Sequence, residues 1–224
     1  MQRKPLTFDT RHFQKEFTSS GKSLAPEDTF RKIYATNHWL GNSISGQGSD
    51  TDQTRELLKA IPLLIAEYKI KSVLDLPCGD FNWFSGMELN ISYIGGDIVQ
   101  ELVDNNNRLY STDHRYFRKI NLLSDPLADT DLLLCRDCMV HLSNNDVLTA
   151  IENIRRSRIK YLLTTTFTEC DENQDIITGD WRIINLTLPP FNLPQPIVLI
   201  NENCTEADGS YRDKCLGLWE IKEI

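Results

Sequence analysis

The sequence has no apolar run long enough to cross a membrane, and residues 1–8 lack the apolar core of a secretory signal peptide. Positive charge is in deficit, because 24 Lys and Arg stand against 32 Asp and Glu, a formal net charge of −8. A nucleic-acid partner is therefore not expected, since phosphate binding favours a basic surface. We expect a cytoplasmic protein with a small-molecule substrate and no membrane partner; its oligomeric state stays open.

Paired cysteines are also scarce. The chain has six Cys, and Cys135-x-x-Cys138 is the only close pair. A structural zinc site would need a second pair at similar spacing, which the other four Cys do not provide. The cysteines therefore favour six reduced thiols, as in a cytosolic protein, and no metal site is predicted.

What is present suits one globular domain. The length of 224 residues supports a sizeable core, and the hydrophobic and charged contents of 40% and 25% are ordinary. Residues 1–24 are polar and of mixed charge, which predicts an N-terminal arm or lid. We place a single domain over residues 25–224.

Strands and helices alternate through that domain. Apolar runs predict strands near residues 72–76, 92–97, 116–120, 131–135, 161–166, 197–201 and 216–221. Stripes of period near 3.6 predict helices from Pro26, over 51–69 with a kink or restart at Pro62, over 99–110, and after Ser143. This order predicts an α/β fold with a doubly wound, mostly parallel sheet.

The most informative stretch is Ser72–Phe81, where a buried strand ends in Asp75 and a turn through Pro77 and Gly79 follows. Asp80 or Asn82 could cap a short helix there, which would turn backbone N–H groups toward a ligand. About twenty residues later a second strand ends in Asp97, where such folds bind a ribose. The full Gly-x-Gly-x-x-Gly of a dinucleotide site is absent.

Leu74–Asp80 and Asp97 resemble the class I S-adenosylmethionine (SAM) dependent methyltransferases. In that family the first strand ends in an acid before a Gly-rich turn, and the second ends in a ribose-binding acid. Here the usual three glycines are reduced to Gly79. The resemblance implies a Rossmann-like seven-stranded sheet with an antiparallel last strand, and SAM as cofactor. The order Trp181-Arg182 before a Pro-rich stretch resembles a little-characterised bacterial branch of the family.

The resemblance also implies cofactor-binding residues. Asp97 would hold the two ribose hydroxyls, Ile98 would pack on adenine, and Asn121 would accept from the adenine amino group. The residues expected to complete the cofactor site lie at strand ends and in the Gly- and Ser-rich loop 41–50: Trp39, Ser45, Gly46, Asp75, Pro77, Cys78, Gly79, Asp80, Leu122 and Arg136.

The candidate catalytic residues are His141 and Asp137, which follow the fourth strand. His141 titrates near neutrality and could remove a proton from the acceptor, whereas its alternative role is to satisfy a turn. Asp137 could be the base, orient the substrate or position the cofactor. Residues 167–196 lack periodicity and favour a binding loop, in which Trp181 would form a pocket wall and Arg182 would hold a substrate anion.

The predicted function is methyl transfer from SAM to a small polar acceptor, such as a sugar or another metabolite hydroxyl, by in-line displacement. Two alternatives stay open. One is methylation of a protein side chain, for which residues 1–50 and 167–196 would form a groove. The other is a non-catalytic module that binds SAM or a nucleotide.

Overall fold

The strand Ser72–Asp75 is the third in a seven-stranded sheet and pairs with the central strand, Leu132–Cys135. The structure is a computed structural model and describes residues 3–87 and 89–224. The first two residues of the predicted arm lie outside that part of the chain.

Strands and helices follow one another in the predicted order. The strands are β1 Ser72–Asp75, β2 Ser92–Asp97, β3 Arg115–Lys119, β4 Leu132–Cys135, β5 Tyr161–Phe167, β6 Val198–Asn201 and β7 Lys214–Glu220. The helices are α1 His12–Ser20, α2 Pro26–Thr36, α3 Thr51–Glu67, α4 Gln100–Tyr110 and α5 Asn144–Arg155, with a short helical turn at Glu206–Gly209. Single 3₁₀ turns lie at Gln47–Ser49, Phe84–Gly86, Met139–His141 and Ile221–Glu223.

The sheet has the order β3-β2-β1-β4-β5-β7-β6. All neighbouring pairs are parallel except that β7 runs antiparallel to both β5 and β6. The predicted α/β fold, with its mostly parallel sheet and antiparallel last strand, is therefore confirmed. Because β7 is reversed, its first residue, Lys214, lies at the same edge as the carboxyl ends of the parallel strands.

Two apolar layers cover the sheet. One face carries α5 and the segment around Leu186, and it includes Leu74 and Leu133 of the central strands. The other carries α3 and Phe81, and it includes Val73 and Leu134. Successive strand residues thus enter opposite layers, as the two-residue period of a strand requires. None of the described helices is long and apolar enough to cross a membrane.

Two expected helix features differ. α3 runs without a break through Pro62, because its buried stripe of Leu57, Ile61 and Leu64 keeps both halves on the sheet. The helix expected after the Gly79 turn does not form. Residues 80–87 and 89–91 contain one 3₁₀ turn, Phe84–Gly86, which has no side-chain cap, so Asp80 caps no helix.

The N-terminal segment packs against the last strand. The Arg3 guanidinium makes two hydrogen bonds to the Asp213 carboxylate, at 2.5 and 2.8 Å, and Tyr211 Oη donates to the Lys4 carbonyl. α1, which the sequence analysis did not predict, begins where the Phe13 and Gln14 N–H groups donate to the Asp180 carboxylate. A carboxylate at this position satisfies unpaired N–H groups and complements the helix dipole.

Arg182 anchors the irregular segment between β5 and β6. Its guanidinium donates to the Met139 carbonyl at 2.6 Å, to the Gln174 carbonyl at 3.1 Å and to Asn144 Oδ1 at 3.1 Å. Arg182 is only 5% exposed. This placement corrects the expectation that Arg182 holds a substrate anion, because protein acceptors already occupy its donors.

We expect Arg182→Met to destabilise the fold by on the order of 3 kcal/mol, because it removes three hydrogen bonds from a charged donor, one of them buried and two part-buried. Urea unfolding followed by circular dichroism measures the change. Arg212→Met removes an exposed guanidinium and serves as the matched control. Equal stability of the two variants would contradict the anchoring role.

Candidate functional site

The carboxyl ends of β1, β2 and β4 open into one cleft, called here the first cleft. It encloses about 1070 Å³ of atom-free space, part of it open to solvent. Such a volume suits a ligand of nucleoside size or larger. Most of the predicted cofactor and catalytic residues line it: Trp39, Ser45, Asp75, Pro77, Cys78, Gly79, Asp97, Ile98, Asn121, Leu122, Arg136, Asp137 and His141.

Asp75 lies at the base of the first cleft and is almost fully buried. Tyr93 Oη donates to its carboxylate at 2.6 Å. Burial raises the pKa of Asp75 to about 7, and the Tyr93 hydrogen bond offsets part of that rise. Asp75 is therefore a carboxylate that changes charge near neutral pH at the edge of a ligand-sized cleft.

Asp97 faces the same cleft from β2. Its two carboxylate oxygens accept the Val99 N–H at 2.9 Å and the Gly79 N–H at 3.1 Å. Burial raises the pKa of Asp97 to about 6, against the effect of these hydrogen bonds. Each carboxylate oxygen can accept a second hydrogen bond, so Asp97 has capacity for a pair of hydroxyl groups.

Loop 41–50 is held on the Gly turn by Asp80. The Asp80 carboxylate accepts Ser43 Oγ at 2.7 Å and Ser45 Oγ at 3.1 Å, and it does not line the first cleft. Gly79 has a φ of +55°, and a Cβ there would collide with Ser45 Oγ. Asp80 thus attaches the loop and lies outside the lining of the first cleft, where it was expected as a cofactor-binding residue.

The apolar part of the first cleft, called here the apolar slot, is lined by Ile98 after β2, Leu102 of α4 and Leu122 after β3. Asn121, which also lines the cleft, already accepts the Leu123 N–H through Oδ1 at 2.9 Å. Asn121 keeps one lone pair and an amide donor for a ligand.

A buried ion cluster lies beyond the end of β4. Arg136 donates to both carboxylate oxygens of Glu202, at 3.2 and 2.7 Å, and to the Gly48 carbonyl at 2.7 Å. Lys214 Nζ lies 2.7 Å from Asp137 Oδ2 and 3.4 Å from Glu202 Oε2. Two cations and two carboxylates thus neutralise each other, as buried charges require.

Asp137 has a strained backbone conformation, and its carboxylate is a weak base. Its φ of +51° lies in the left-handed region, where residues other than Gly are uncommon and often functional. Its N–H donates to Thr165 Oγ1 at 2.8 Å. Burial alone would raise the pKa of Asp137, but the charges of Arg136 and Lys214 outweigh it and hold that pKa well below its ordinary value.

His141 is held as a neutral imidazole. Its Nδ1 lies 3.0 Å from the Asp180 carbonyl, and because a carbonyl only accepts, the proton is on Nδ1. Nε2 is therefore the nitrogen with a free lone pair. Burial lowers the pKa of His141 to about 4, so it is uncharged at neutral pH.

A second cleft, of about 480 Å³, also has Trp39 and His141 in its lining. The two rings are 4.5 Å apart with an angle of 30° between their planes. Four residues line both clefts: Trp39, Ser45, Asp137 and His141. Gly46 and Trp181 line the second cleft and not the first, where Gly46 was expected as a cofactor residue. The role of Trp181 as a wall of a substrate pocket stays a prediction.

Three solved structures share the architecture. The chain is similar to PigF with SAH (S-adenosylhomocysteine), at 13% identity and a TM-score of 0.62 over 94% of this chain and 66% of that one. Human N-acetylserotonin methyltransferase in complex with SAM matches at 12% identity and a TM-score of 0.59 over 94% and 62%. The N-methyltransferase NodS from Bradyrhizobium japonicum WM9 matches at 14% identity and a TM-score of 0.58, over 76% of this chain and 97% of that one.

The chain has the fold of the class I SAM-dependent methyltransferases. This confirms the resemblance drawn from the sequence at the level of the fold. The chain spans just under two thirds of the length of PigF and of the human enzyme. No protein-family model matches the chain, and no curated protein matches it either.

Several residues of this methyltransferase fold lie in the clefts or support them but were not predicted. Tyr93 hydrogen bonds Asp75, Glu202 and Lys214 complete the ion cluster, and Phe8 and Tyr211 line the second cleft. Glu202 directly follows β6 and Lys214 begins the reversed β7. The signal in the sequence was a carboxylate directly after one predicted strand and a lysine just before the next. It could have placed Glu202 and Lys214 at the sheet edge that carries the clefts.

A metal site is not part of this methyltransferase fold as far as the described residues show. Among them, no group of three or more His, Cys, Asp or Glu side chains is arranged to hold a metal ion. Cys135 and Cys138 are both unpaired thiols.

We expect Asp80→Ala to loosen loop 41–50, because it removes the acceptor for Ser43 Oγ and Ser45 Oγ. Amide exchange in residues 43–49 should become about tenfold faster, which corresponds to about 1.4 kcal/mol of lost local stability. Hydrogen–deuterium exchange with mass spectrometry measures it, with Asp113→Ala on an exposed turn as the control. Unchanged exchange in the loop would show that Asp80 does not hold it.

Proposed function

We propose that this protein is a SAM-dependent methyltransferase that acts on a small acceptor. The observation that carries the proposal is the position of Asp75 and Asp97: two buried carboxylates at neighbouring strand ends face one cleft of suitable size. The fold matches structures that hold SAM or SAH, which supports the same ligand here.

The residues of the first cleft fit the cofactor. Asp97 has lone pairs for two ribose hydroxyls, and the apolar slot at Ile98 and Leu122 accepts a purine ring. The Trp39 indole N–H is buried without an acceptor among the described residues. A ligand oxygen would satisfy this donor, whose desolvation otherwise costs about 1–3 kcal/mol.

The cofactor supplies an electrophilic methyl group on a sulfonium. The chain would hold the adenosyl part with Asp97 and Ile98, and the methionine part with the backbone around Pro77, Cys78 and Gly79. Asp75 lies close enough to the same cleft to attract the cofactor's ammonium group. Asp80 and Gly46 contribute indirectly, through the loop that covers this site.

We propose that His141 Nε2 accepts a hydrogen bond from the acceptor, orients it, and takes its proton only as the methyl group is transferred, because a pKa of about 4 makes His141 a weak base. It lines both clefts, it is neutral, and its Nδ1–H···O=C hydrogen bond to Asp180 leaves Nε2 free. Asp137 is held ionised by Arg136 and Lys214, which makes it a poor base. We propose that Asp137 positions Lys214 and the turn that carries His141.

The direct test is isothermal titration with SAM and SAH. We expect both to bind at sub-millimolar concentration, and Asp97→Ala to weaken SAH binding by at least about a hundredfold, because two hydrogen bonds to a buried carboxylate are lost. Asp113→Ala is the matched control. Unchanged affinity in Asp97→Ala would remove the central assignment, and binding of both ligands without methyl transfer to a broad acceptor panel would favour a non-catalytic module.

The affinity for SAH should depend on pH through Asp97. Ribose hydroxyls donate to the ionised carboxylate, so protonation below its pKa of about 6 competes with binding. Each pH unit below about 6 should therefore raise the Kd, by up to about tenfold. Titrations from pH 5 to pH 8 measure this. Asp97→Asn should bind more weakly and keep only the part of the pH dependence that comes from protonation of Asp75, whose pKa is about 7. The same slope in that variant would assign the pH dependence to another group.

A further inference from the structure

The second cleft is built from distant parts of the chain and shares His141 with the first cleft. Leu6 and Phe8 come from the N-terminal segment, Phe167 from the end of β5, Trp181 from the irregular segment, and Tyr211 from the turn before β7. Because Trp39 and His141 line both clefts, a molecule in the second cleft would lie directly beside the ligand of the first.

Aromatic rings dominate this cleft. Trp181 packs edge-to-face on Tyr211, with ring centroids 5.2 Å apart and an angle of 82°, and on Phe167, at 6.2 Å and 90°. Arg3 lies over the Phe167 and Tyr211 rings, at 5.9 and 5.5 Å, and fixes them from the N-terminal side. Rings held at right angles offer both faces and edges, the two arrangements that a planar aromatic ligand prefers.

Several polar groups of the cleft already have partners, but the Glu206 carboxylate accepts only the Cys204 thiol, at 3.4 Å, among the described residues. Lys214 pairs with Asp137 at 2.7 Å, and Asp137 also accepts Thr165 Oγ1 at 3.2 Å. Ser45 Oγ is bound to Asp80, and Gln47 Oε1 accepts Thr7 Oγ1. A sugar brings many hydroxyls that need partners of their own, and this cleft offers few, so a polyhydroxylated ligand would lose hydrogen bonds on entering.

His141 Nε2 is a hydrogen-bond acceptor with open capacity at the junction of the two clefts. The neutral imidazole can accept one hydrogen bond there, and Trp39, whose indole N–H has no acceptor among the described residues, stacks on its ring. A group that donates a single hydrogen bond matches Nε2. A protonated amine would instead be attracted to the Glu206 carboxylate, and it has no lone pair for a methyl group until it loses a proton to a base.

We propose that the second cleft is the acceptor site and that it binds a small planar aromatic molecule through a ring hydroxyl placed on His141. The acceptor class is therefore a phenol and not a sugar. The role of the second cleft as a substrate site rests on the proposed function. The binding of a phenol there can be measured without any methyl transfer.

The test is ligand binding to the full chain saturated with SAH. We expect 4-ethylphenol to bind at least tenfold more tightly than 4-ethylcyclohexanol, which has the hydroxyl but no aromatic ring, and more tightly than ethylbenzene, which has the ring but no hydroxyl. Methyl β-glucoside is the sugar probe, and 2-phenylethylamine, which has the ring and an amine but no ring hydroxyl, is the amine probe. Isothermal titration and saturation-transfer NMR give the affinities.

Two variants locate the site. Phe8→Leu keeps an apolar side chain on a partly exposed position but removes a ring, so 4-ethylphenol affinity should fall several-fold while SAH affinity stays unchanged. Phe17→Leu, on the exposed face of α1, is the matched control. His141→Gln should reduce the advantage of 4-ethylphenol over ethylbenzene, a readout that a merely structural role of His141 would not change.

The outcomes separate the two proposals. If SAH binds and the glucoside or the amine binds more tightly than 4-ethylphenol, or the saturated alcohol binds equally well, the phenol assignment is wrong and the proposed function stands. If SAH binds and none of the probes does, the second cleft is not an acceptor site for small molecules. If SAH itself does not bind, the proposed function fails first.

Discussion

The arrangement of both clefts depends on the buried ion cluster of Arg136, Asp137, Glu202 and Lys214. Arg136 joins the end of β4 to Glu202 after β6 and to the Gly48 carbonyl of loop 41–50. Lys214 joins the start of β7 to Asp137. Removal of any single member leaves the buried cluster with one charge in excess, and such a change is costly. The cluster therefore fixes, at one point, the loop over the first cleft, the turn that leads to His141 and the floor of the second cleft.

Electrostatics divides the titratable groups of the site into two kinds. Asp75 and Asp97 have no cation at hydrogen-bond distance among the described residues, so burial raises the pKa of each. Asp137 is surrounded by cations, which lower its pKa, while burial lowers that of His141. At neutral pH the first cleft thus holds carboxylates close to their titration points, and its junction with the second cleft holds an uncharged base. The carboxylates that would attract a cation and the imidazole that would accept a proton therefore lie in different parts of the site.

The part of the site that follows parallel strands was predictable, because sequence alone shows where an apolar run ends and which residue comes next. Asp75, Asp97 and His141 were found in this way, and the order of the strands made their convergence on one edge an expectation. Contacts between residues that are far apart in the sequence could not be predicted in this way. Arg182 is chemically suited to bind an anion, yet three protein acceptors occupy it. Asp80 was expected to contact the cofactor, but its carboxylate accepts hydrogen bonds from Ser43 and Ser45 of loop 41–50.

The ends of the chain differ in where they leave the fold. Arg3 is fixed to Asp213 at the edge that carries the clefts, and Leu6 and Phe8 reach over the second cleft. Ile224 lies past the end of the reversed β7, at the opposite edge, where its carbonyl accepts from Arg155. An affinity tag or fusion partner joined before residue 3 would therefore emerge beside the mouth of the second cleft and crowd it. One joined after residue 224 would leave from the far side and keep the entrance clear.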